Sequence, residues 1–508
     1  MPLLTFIQKD KIEKITVKQG GNVLSALRSH GLFVYSPCGG RGVCGKCLVQ
    51  AAGALSELSE TEKRYIPEEE RARGIRLACE ALILGDCEIR PVSDGIDVLT
   101  DGHGGFTDLR YAGEEQSRLG VAVDIGTTTV AVYLYELTTG VLLGTRGFAN
   151  PQAGFGADVI SRMKAIMTDD GALTAQQSSL LAAVSGAIRS FGIETDRIEN
   201  AVFCGNTVME HIAAGVSPVP MATAPFTAPT VFGYGIPAEQ IGWGAAPDAL
   251  IWFAPCFASY VGGDIACGIL AADLDRTKKT CLFLDIGTNG EMALVCDGRI
   301  FLCATAAGPA FEGGNLSCGM PGTDGAISRV WADGNTVRYQ TVGNAPARGI
   351  CGSGILDAVS VMLDLGLLDE TGRIEEPFVI GDSGMAVTGA DIREIQLAKA
   401  AVCAGIRTLL DTAGLTCEDV ETVVLAGGFG SALRPESALR IGLLPGELRA
   451  PVVSLGNTAG KGASRVLLES GAEDRILSLC RVASYIELSG NAFFSNAYPD
   501  EMMFETSE

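Results

Sequence analysis

The 508-residue chain is predicted to be two unlike parts: a small α+β domain at residues 1–92, and an α/β domain of two lobes at 119–278 and 279–508. Three observations carry this. Four cysteines, Cys38, Cys44, Cys47 and Cys79, form an array whose first three members are closely spaced among glycines. A strand-Asp-x-Gly-Thr pattern occurs twice, at Asp124 and Asp285, 161 residues apart. Between them, residues 93–118 (SDGIDVLTDGHGGFTDLRYAGEEQSR) shift to Gly, Asp and polar residues, which reads as a linker or as an arm lying on one domain.

The array is C-x5-C-x2-C, written CGGRGVCGKC, with its fourth thiol 32 positions on in RLACEAL. Glycines 39, 40, 42 and 45 let the backbone take positive φ and approach a small inorganic core closely. Plant-type [2Fe-2S] ferredoxins have four residues in the first gap. The five found here resemble the adrenodoxin-like branch of that fold, so the expected cofactor is a [2Fe-2S] cluster. Four cysteines also suit structural zinc, although zinc ligands usually come as two short knuckles. The start, MPLLTFIQKDKIEK, has no sustained apolar segment of the secretory kind, and a reducing compartment disfavours disulfides. A Rieske-type site is excluded because the three histidines, His30, His103 and His211, lie outside the array.

Around the array the pattern fits a β-grasp. LLTFIQ and EKITVKQG alternate as a hairpin. GNVLSALRSHG is expected to be a short helix from Asn22 to Gly31, followed by the cysteine loop and the strand KCLVQAAG. IRLACEALILGDCEIRPV supplies Cys79 and a strand pair turning at Gly85-Asp86. Cys87, in that alternation, is expected to be a buried thiol rather than a ligand.

In the larger part, LGVAVDIGTTTVAVYLYE delivers Asp124 into a turn of Gly126, Thr127 and Thr128, and TCLFLDIGTNGEMALVC delivers Asp285 into Gly287, Thr288 and Asn289. Such turns offer N–H groups and hydroxyls to phosphate oxygens, while a carboxylate can hold Mg2+ through water. The repeat predicts two related subdomains facing one ligand. A third element, VETVVLAGGFGSALRP, ends a strand at Gly427 and Gly428, where missing side chains admit a flat nucleoside. Asp264 and Glu312 are candidate bases or helix caps, Lys461 a phosphate contact or a surface lysine, and His211 a helix residue with a satisfied hydrogen bond. The helix expected over 389–414 has apolar spacing of three and four and stops at Gly414.

Composition narrows the partners. A net charge of −22 argues against nucleic acid. Residues 1–92 carry 13 basic and 11 acidic side chains, so the acidic excess falls on the larger part and disfavours anionic membranes. The apolar stretch LIWFAPCFASYVGGDIACGILAADL is broken by Pro255, Gly262, Gly263 and Asp264, short of a span. The remaining cysteines are scattered singly, as small buried residues of a reduced cytoplasm would be.

The motifs at Asp124, Asp285 and Gly427 resemble the phosphate-1, phosphate-2 and adenosine elements of the acetate and sugar kinase, actin and heat-shock ATPase superfamily. That resemblance implies a ribonuclease H-like, actin-like fold that binds ATP and Mg2+. ARGICGSGILDAVSVMLDLG is similar to the helix connecting the subdomains, with Gly349, Gly352 and Gly354 permitting close packing. Over nearly the whole chain, phrases such as CGNTVMEHIAAGVSP, ATAAGPAFEGG, GICGSGILDAV, LAGGFGSAL and GNTAGKGA resemble the reductive activators of corrinoid proteins. The better-known members of that family are longer. The resemblance implies ATP-dependent return of a Co(II) corrinoid, carried by a methyltransferase-system protein, to Co(I). It implies an external electron donor and, as oligomer, a homodimer. Two other readings stay open: an ATP-driven electron donor to another low-potential metalloenzyme, as in dehydratase activators, and a small-molecule kinase under redox control.

Overall fold

A computed structural model describes the chain apart from residues 9–10, 31, 33, 35, 37–39, 41, 43–44, 93–109, 111–117, 288, 335 and 506–508. The N-terminal part is built on β1 (Leu3–Gln8) and β2 (Lys11–Thr16), paired antiparallel as the alternation predicts. α1 (Val23–Arg28) follows, with the Asn22 side chain accepting from the Ser25 amide at 2.7 Å. It ends at Ser29, short of Gly31, which lies outside the described residues. β3 (Leu48–Leu55), the short helices α2 (Glu60–Tyr65) and α3 (Glu68–Ala72), β4 (Ile75–Leu77) and β5 (Ile83–Pro91) complete a five-stranded sheet in the order β2-β1-β5-β3-β4. One face of that sheet packs on Val23, Leu24 and Leu27 of α1, which is how a β-grasp buries its core.

Gly85-Asp86 is not a turn. The strand β5 continues through it as a bulge: from Leu55 to Gly53 β3 takes two steps while β5 takes four from Ile83 to Cys87, so the extra residues, Gly85 and Asp86 among them, lie on β5. Gly53 has φ +106°, and a side chain there would collide with the Asp86 carbonyl. Cys87 is buried within β5, as expected, and burial pushes its thiol up to about 11.

The first lobe is a sheet in the order β10-β11-β9-β6-β7-β8. β6 (Leu119–Ile125), β7 (Thr129–Glu136) and β8 (Val141–Ala149) form an antiparallel meander. β9 (Ile198–Gly205) adds parallel to β6, then β11 (Leu250–Phe253) parallel to β9, with β10 (Tyr234–Pro237) at the edge. α4 (Val159–Thr168), α5 (Ala172–Arg189) and α6 (Thr207–Ala214) cover one face, and α7 (Gly263–Ala271) the other. His211 is buried in α6, its two ring nitrogens bonded to the Thr207 carbonyl and the Thr230 amide, a structural role as expected.

The second lobe repeats the plan. β12 (Cys281–Ile286), β13 (Gly290–Cys296) and β14 (Arg299–Thr305) form the meander. A small sheet of β15 (Ala326–Asp333), β16 (Thr336–Thr341) and β17 (Gly349–Ile350) leads into α8 (Gly352–Asp364). After the two-residue strands β18 (Phe378–Val379) and β19 (Ala386–Val387) comes α9 (Gly389–Ala413), capped by Gly414 at φ 71° where its apolar spacing stops. β20 (Thr422–Ala426) extends the meander parallel to β12, α10 (Gly427–Ala432) and α11 (Pro435–Arg440) follow, and β21 (Val452–Ser454) pairs with β20. α12 (Thr458–Leu468), α13 (Ala472–Val482), β22 (Ala483–Tyr485) and α14 (Ala492–Asp500) end the chain.

α8 packs on β15 and α11, inside the second lobe, so it does not connect the lobes. Gly352 and Gly354 bring it against the Phe311 and Ile327 carbonyls rather than against another helix, and Gly349 lies in β17. The elements shared by both lobes are α7 and α12. They pack on each other, and one core joins Ala122, Tyr133 and Cys204 of the first sheet to Phe283 and Ala293 of the second through Ile265 and Ala463. Of the polar segment, described Arg110 donates its amide to the Leu468 carbonyl and its guanidinium to Glu473. No described helix is long and apolar enough to cross a membrane.

One buried ion pair ties the small domain together. Glu62 is fully buried and takes two hydrogen bonds from Arg76, at 2.7 and 2.9 Å, and one from the Leu77 amide. Burial alone would raise its pKa, but Arg76 and the Ser59 and Leu77 amides outweigh it and hold the carboxyl below its ordinary value of 4.5. A depressed carboxylate adds stability that is present at neutral pH and lost as the pH falls below that value. Glu62→Ala, which strands Arg76, is expected to destabilise β1–β5 by about 3 kcal/mol or more. Amide hydrogen exchange of those strands at pH 7 measures it, and the difference from the unmodified chain should shrink towards pH 4.

Candidate functional site

Because β6 and β12 occupy equivalent places in their sheets, their C-terminal ends face each other across the cleft, and a cavity of about 410 Å³ lies between them. Asp124, Gly126, Thr127 and Thr128 line it from the first lobe; Asp285, Gly287, Asn289, Gly427 and Gly428 line it from the second. Thr288 lies outside the described residues. The three motifs named from the sequence therefore meet in one place. Asp264, in the first turn of α7, and Glu312 line it too, whereas Lys461 does not.

The first turn is held from behind. The side-chain amide of Asn150 donates to the Gly126 carbonyl and its backbone N–H to the Thr128 carbonyl, both at 2.8 Å. Buried Arg162 of α4 bonds the Thr127 carbonyl, the Gly156 carbonyl at 3.0 Å and Gln152 Oε1 at 3.3 Å. Three successive carbonyls are thus occupied by donors of the first lobe. In the second lobe Gly427 takes φ +76°, and a Cβ there would run into the Asp285 carboxylate, so only glycine lets this turn close over the aspartate.

Four acidic groups are forced together where water is scarce. Burial pushes Asp124 up to about 7, against an opposing hydrogen bond from Asn457 Nδ2 at 2.8 Å and with a further rise from Asp285. Asp285 rises to about 6 through burial and Glu312. Asp264 rises to about 8 through burial, Asp285 and Asp124, and Glu291 is raised by burial and by Asp264 and Asp285. Glu312 reaches across the cleft, accepting from Thr128 Oγ1 at 3.1 Å, and its carboxylate lies over Gly287. Among the described residues no group of three or more His, Cys, Asp or Glu side chains stands close enough to hold a metal by itself. Asn457, Asn206 and Arg162 escaped the sequence reading because the two asparagines read as ordinary helix caps and the arginine as an ordinary helix residue. Phe311 and Phe429 also line the cavity, stacked at 4.9 Å and 8°.

In the small domain Cys47 and Cys79 are both buried, with sulfurs 3.3 Å apart, too far to be bonded to each other. Cys47 leads into β3 and Cys79 follows β4, a placement set by the pairing of those strands and by the Ala78 amide bonding the Cys47 carbonyl at 2.8 Å. Gly40, Gly42 and Gly45 have φ of 92°, 72° and 65°, and a Cβ on Gly45 would press on the Tyr65 ring. Cys38 and Cys44 lie outside the described residues. Two cysteine sulfurs converging beside a glycine-rich loop fit the donor set of an iron–sulfur or zinc site.

A β-grasp domain bearing converged thiols, ahead of two facing lobes that each present an aspartate and a glycine-rich turn, places the protein among ferredoxin domains fused to a nucleotide-binding domain of the actin and sugar kinase type. Residues 6–84 match the 2Fe-2S iron-sulfur cluster binding domain, residues 119–277 the RACo middle region and residues 279–508 the C-terminal domain of RACo, the ASKHA domain. The chain belongs to the RACo family. It is 29% identical to the corrinoid activation enzyme RamQ of Eubacterium limosum, over 97% of this chain and 98% of that one. It is 26% identical to the [Co(II) methylated amine-specific corrinoid protein] reductase of Methanosarcina barkeri, over 76% and 77%. A solved structure titled reductive activator for corrinoid,iron-sulfur protein superposes with a TM-score of 0.70 at 28% identity, covering 100% and 99% of the two chains.

The two neighbouring glycines of the third turn make a test of the cleft. Gly427→Ala brings a methyl group onto Asp285 at positive φ, whereas a Cβ on Gly428 meets open space. Titration with a fluorescent ATP analogue should show at least about tenfold weaker binding for Gly427→Ala, equivalent to about 1.4 kcal/mol, while Gly428→Ala should leave the melting curve of the nucleotide-free protein unchanged and weaken binding only through contact with the nucleoside.

Proposed function

We propose that this protein uses ATP to return the Co(II) corrinoid of a methyltransferase-system protein to Co(I), with electrons from an external donor. The observation that carries the reading is that the Asp124 and Asp285 turns meet in one cavity in a chain whose small domain also brings Cys47 and Cys79 together. The named relatives support it, since RamQ is a corrinoid activation enzyme and the Methanosarcina protein a Co(II) corrinoid protein reductase.

In this reading Cys38, Cys44, Cys47 and Cys79 hold a [2Fe-2S] cluster, whose chemistry is one-electron transfer. Gly126, Thr127 and Thr128 receive phosphate oxygens from one side, and Gly287, Thr288 and Asn289 from the other. With the carbonyls of the first turn bound by Asn150 and Arg162, its N–H groups and hydroxyls are what it has left to offer an anion. Asp124 and Asp285 organise Mg2+. The cleft carboxyls, raised by burial and by neighbouring acidic groups, fit a divalent cation because its charge would relieve their repulsion. Gly427 and Gly428 flank the nucleoside. The protein would work in the reducing cytoplasm, as a homodimer.

ATP is needed because Co(I) is a demanding product: each 59 mV of one-electron mismatch costs a factor of about ten in equilibrium. Nucleotide can supply that only by binding two conformations with different affinity, and a cleft between two lobes provides them.

The test is anaerobic. The iron-reconstituted protein, a chemical reductant and a Co(II) corrinoid protein of a methyltransferase system are mixed, and visible spectra are recorded with and without ATP. The Co(I) band is expected only with ATP, and Asp285→Ala should lose both ATP turnover and the band. Full reactivation by a variant without ATP turnover would overturn the reading.

A further inference from the structure

The small domain does not hang free of the cleft; it straddles it. Lys46, beside Cys47 in the cysteine loop, donates its ammonium to the Gly319 carbonyl of the second lobe at 2.5 Å. On the other side the Arg28 side chain lies over Gly154 of the first lobe, where a Cβ would stand 3.2 Å from its Cγ. Both landing points belong to segments that build the cleft. Gly154 closes the turn begun by Asn150, the residue that holds the Gly126 and Thr128 carbonyls. Gly319 lies backbone against backbone on Gly313, and neither position has room for a side chain. Gly313 caps the short helical turn that carries Glu312, which spans from Thr128 to above Gly287.

We infer that the Lys46–Gly319 contact is a nucleotide-sensitive latch, closed while Glu312 holds Thr128 and opened when a nucleoside triphosphate occupies the cleft. Triphosphate oxygens at the Thr127-Thr128 turn compete for the Thr128 hydroxyl and repel the Glu312 carboxylate, so the Pro309–Glu312 turn must shift. Close backbone packing passes that shift to Gly319 without slack. The same ligand draws the lobes together and so changes the spacing between Gly154 and Gly319, which a five-stranded domain cannot follow at both ends. Lys46 lets go, and the small domain is free to carry its electron to a partner. Lys46 is on this account a positioning residue, and the inference rests on the nucleotide reading of the cleft given above.

The experiment needs no corrinoid protein. Nitroxide labels are attached through genetically encoded keto side chains at exposed Glu69 and Glu376, one on each side of the contact, in the full-length, cluster-loaded chain. Distance distributions are measured by pulsed electron resonance with and without a non-hydrolysable ATP analogue and Mg2+, and binding is verified by fluorescence. The unmodified chain should give a narrow distribution that broadens at saturating analogue. Lys46→Gln should be broad in both conditions with an unchanged cluster absorbance spectrum, and Lys46→Arg should keep the nucleotide response. Bound analogue with no change in distance, or a narrow Lys46→Gln, overturns the latch alone. A chain that binds no analogue overturns the nucleotide reading, and the latch with it.

Discussion

Four carboxyls, Asp124, Asp264, Asp285 and Glu291, are held close together in a poorly hydrated cleft, and most of the molecule can be understood as what keeps them there. Isolated charges of one sign would separate or take up protons. Here they stay because each is fixed at the end of a strand or helix whose other residues are buried: Asp124 closes β6, Asp285 closes β12, Glu291 opens β13 and Asp264 starts α7. The apolar core shared by the two sheets through α7 and α12 supplies the counterforce, since each fully buried aliphatic side chain contributes about 1.5–3 kcal/mol. Asn457 at the head of α12 hydrogen-bonds Asp124, so the packing helix also positions the charge.

A structure built for stability alone would not converge like charges, and the cost is concentrated where two lobes can move. On the proposed reading the repulsion among these carboxyls is relieved by a bound cation and increased by an anionic phosphate chain, so the balance depends on which ligands occupy the cleft. That makes lobe separation sensitive to the ligand, which is the requirement for coupling. The rigid backing of the first turn by Asn150 and buried Arg162 matters for the same reason: displacement then passes to Glu312 and the second lobe rather than being absorbed locally.

The small domain meets this machinery at both walls. Its near-neutral balance of charge sits against a strongly acidic partner domain, and a lysine and an arginine make the contacts. Its own integrity is independent of the cleft, resting on the α1 face of the sheet and on the Glu62–Arg76 pair. The protein thus joins a self-contained thiol site to a strained one.

Sequence alone named the three turns that line the cleft and the two described cysteines that converge in the small domain. Local chemistry was enough for this: cysteine spacing with glycines, apolar strands ending in aspartate, and Gly427-Gly428 after a strand are each written within a dozen residues, and the helix ending at Gly414 follows from periodicity. It failed where a local signal had two structural meanings. Gly85-Asp86 has the residues of a turn, but β5 pairs with β3 on both sides of it, so the strand continues and the two residues bulge out of the ladder opposite Gly53. α8 has the glycines of a connecting helix, yet they meet carbonyls of its own lobe. Only the tertiary structure decided which elements join the lobes, that Asn457 comes from 333 positions away to hold Asp124, how far the carboxyls are raised, and that Lys46 reaches Gly319. Those depend on distances between segments remote in the chain, and such distances are set by the packing of the whole core.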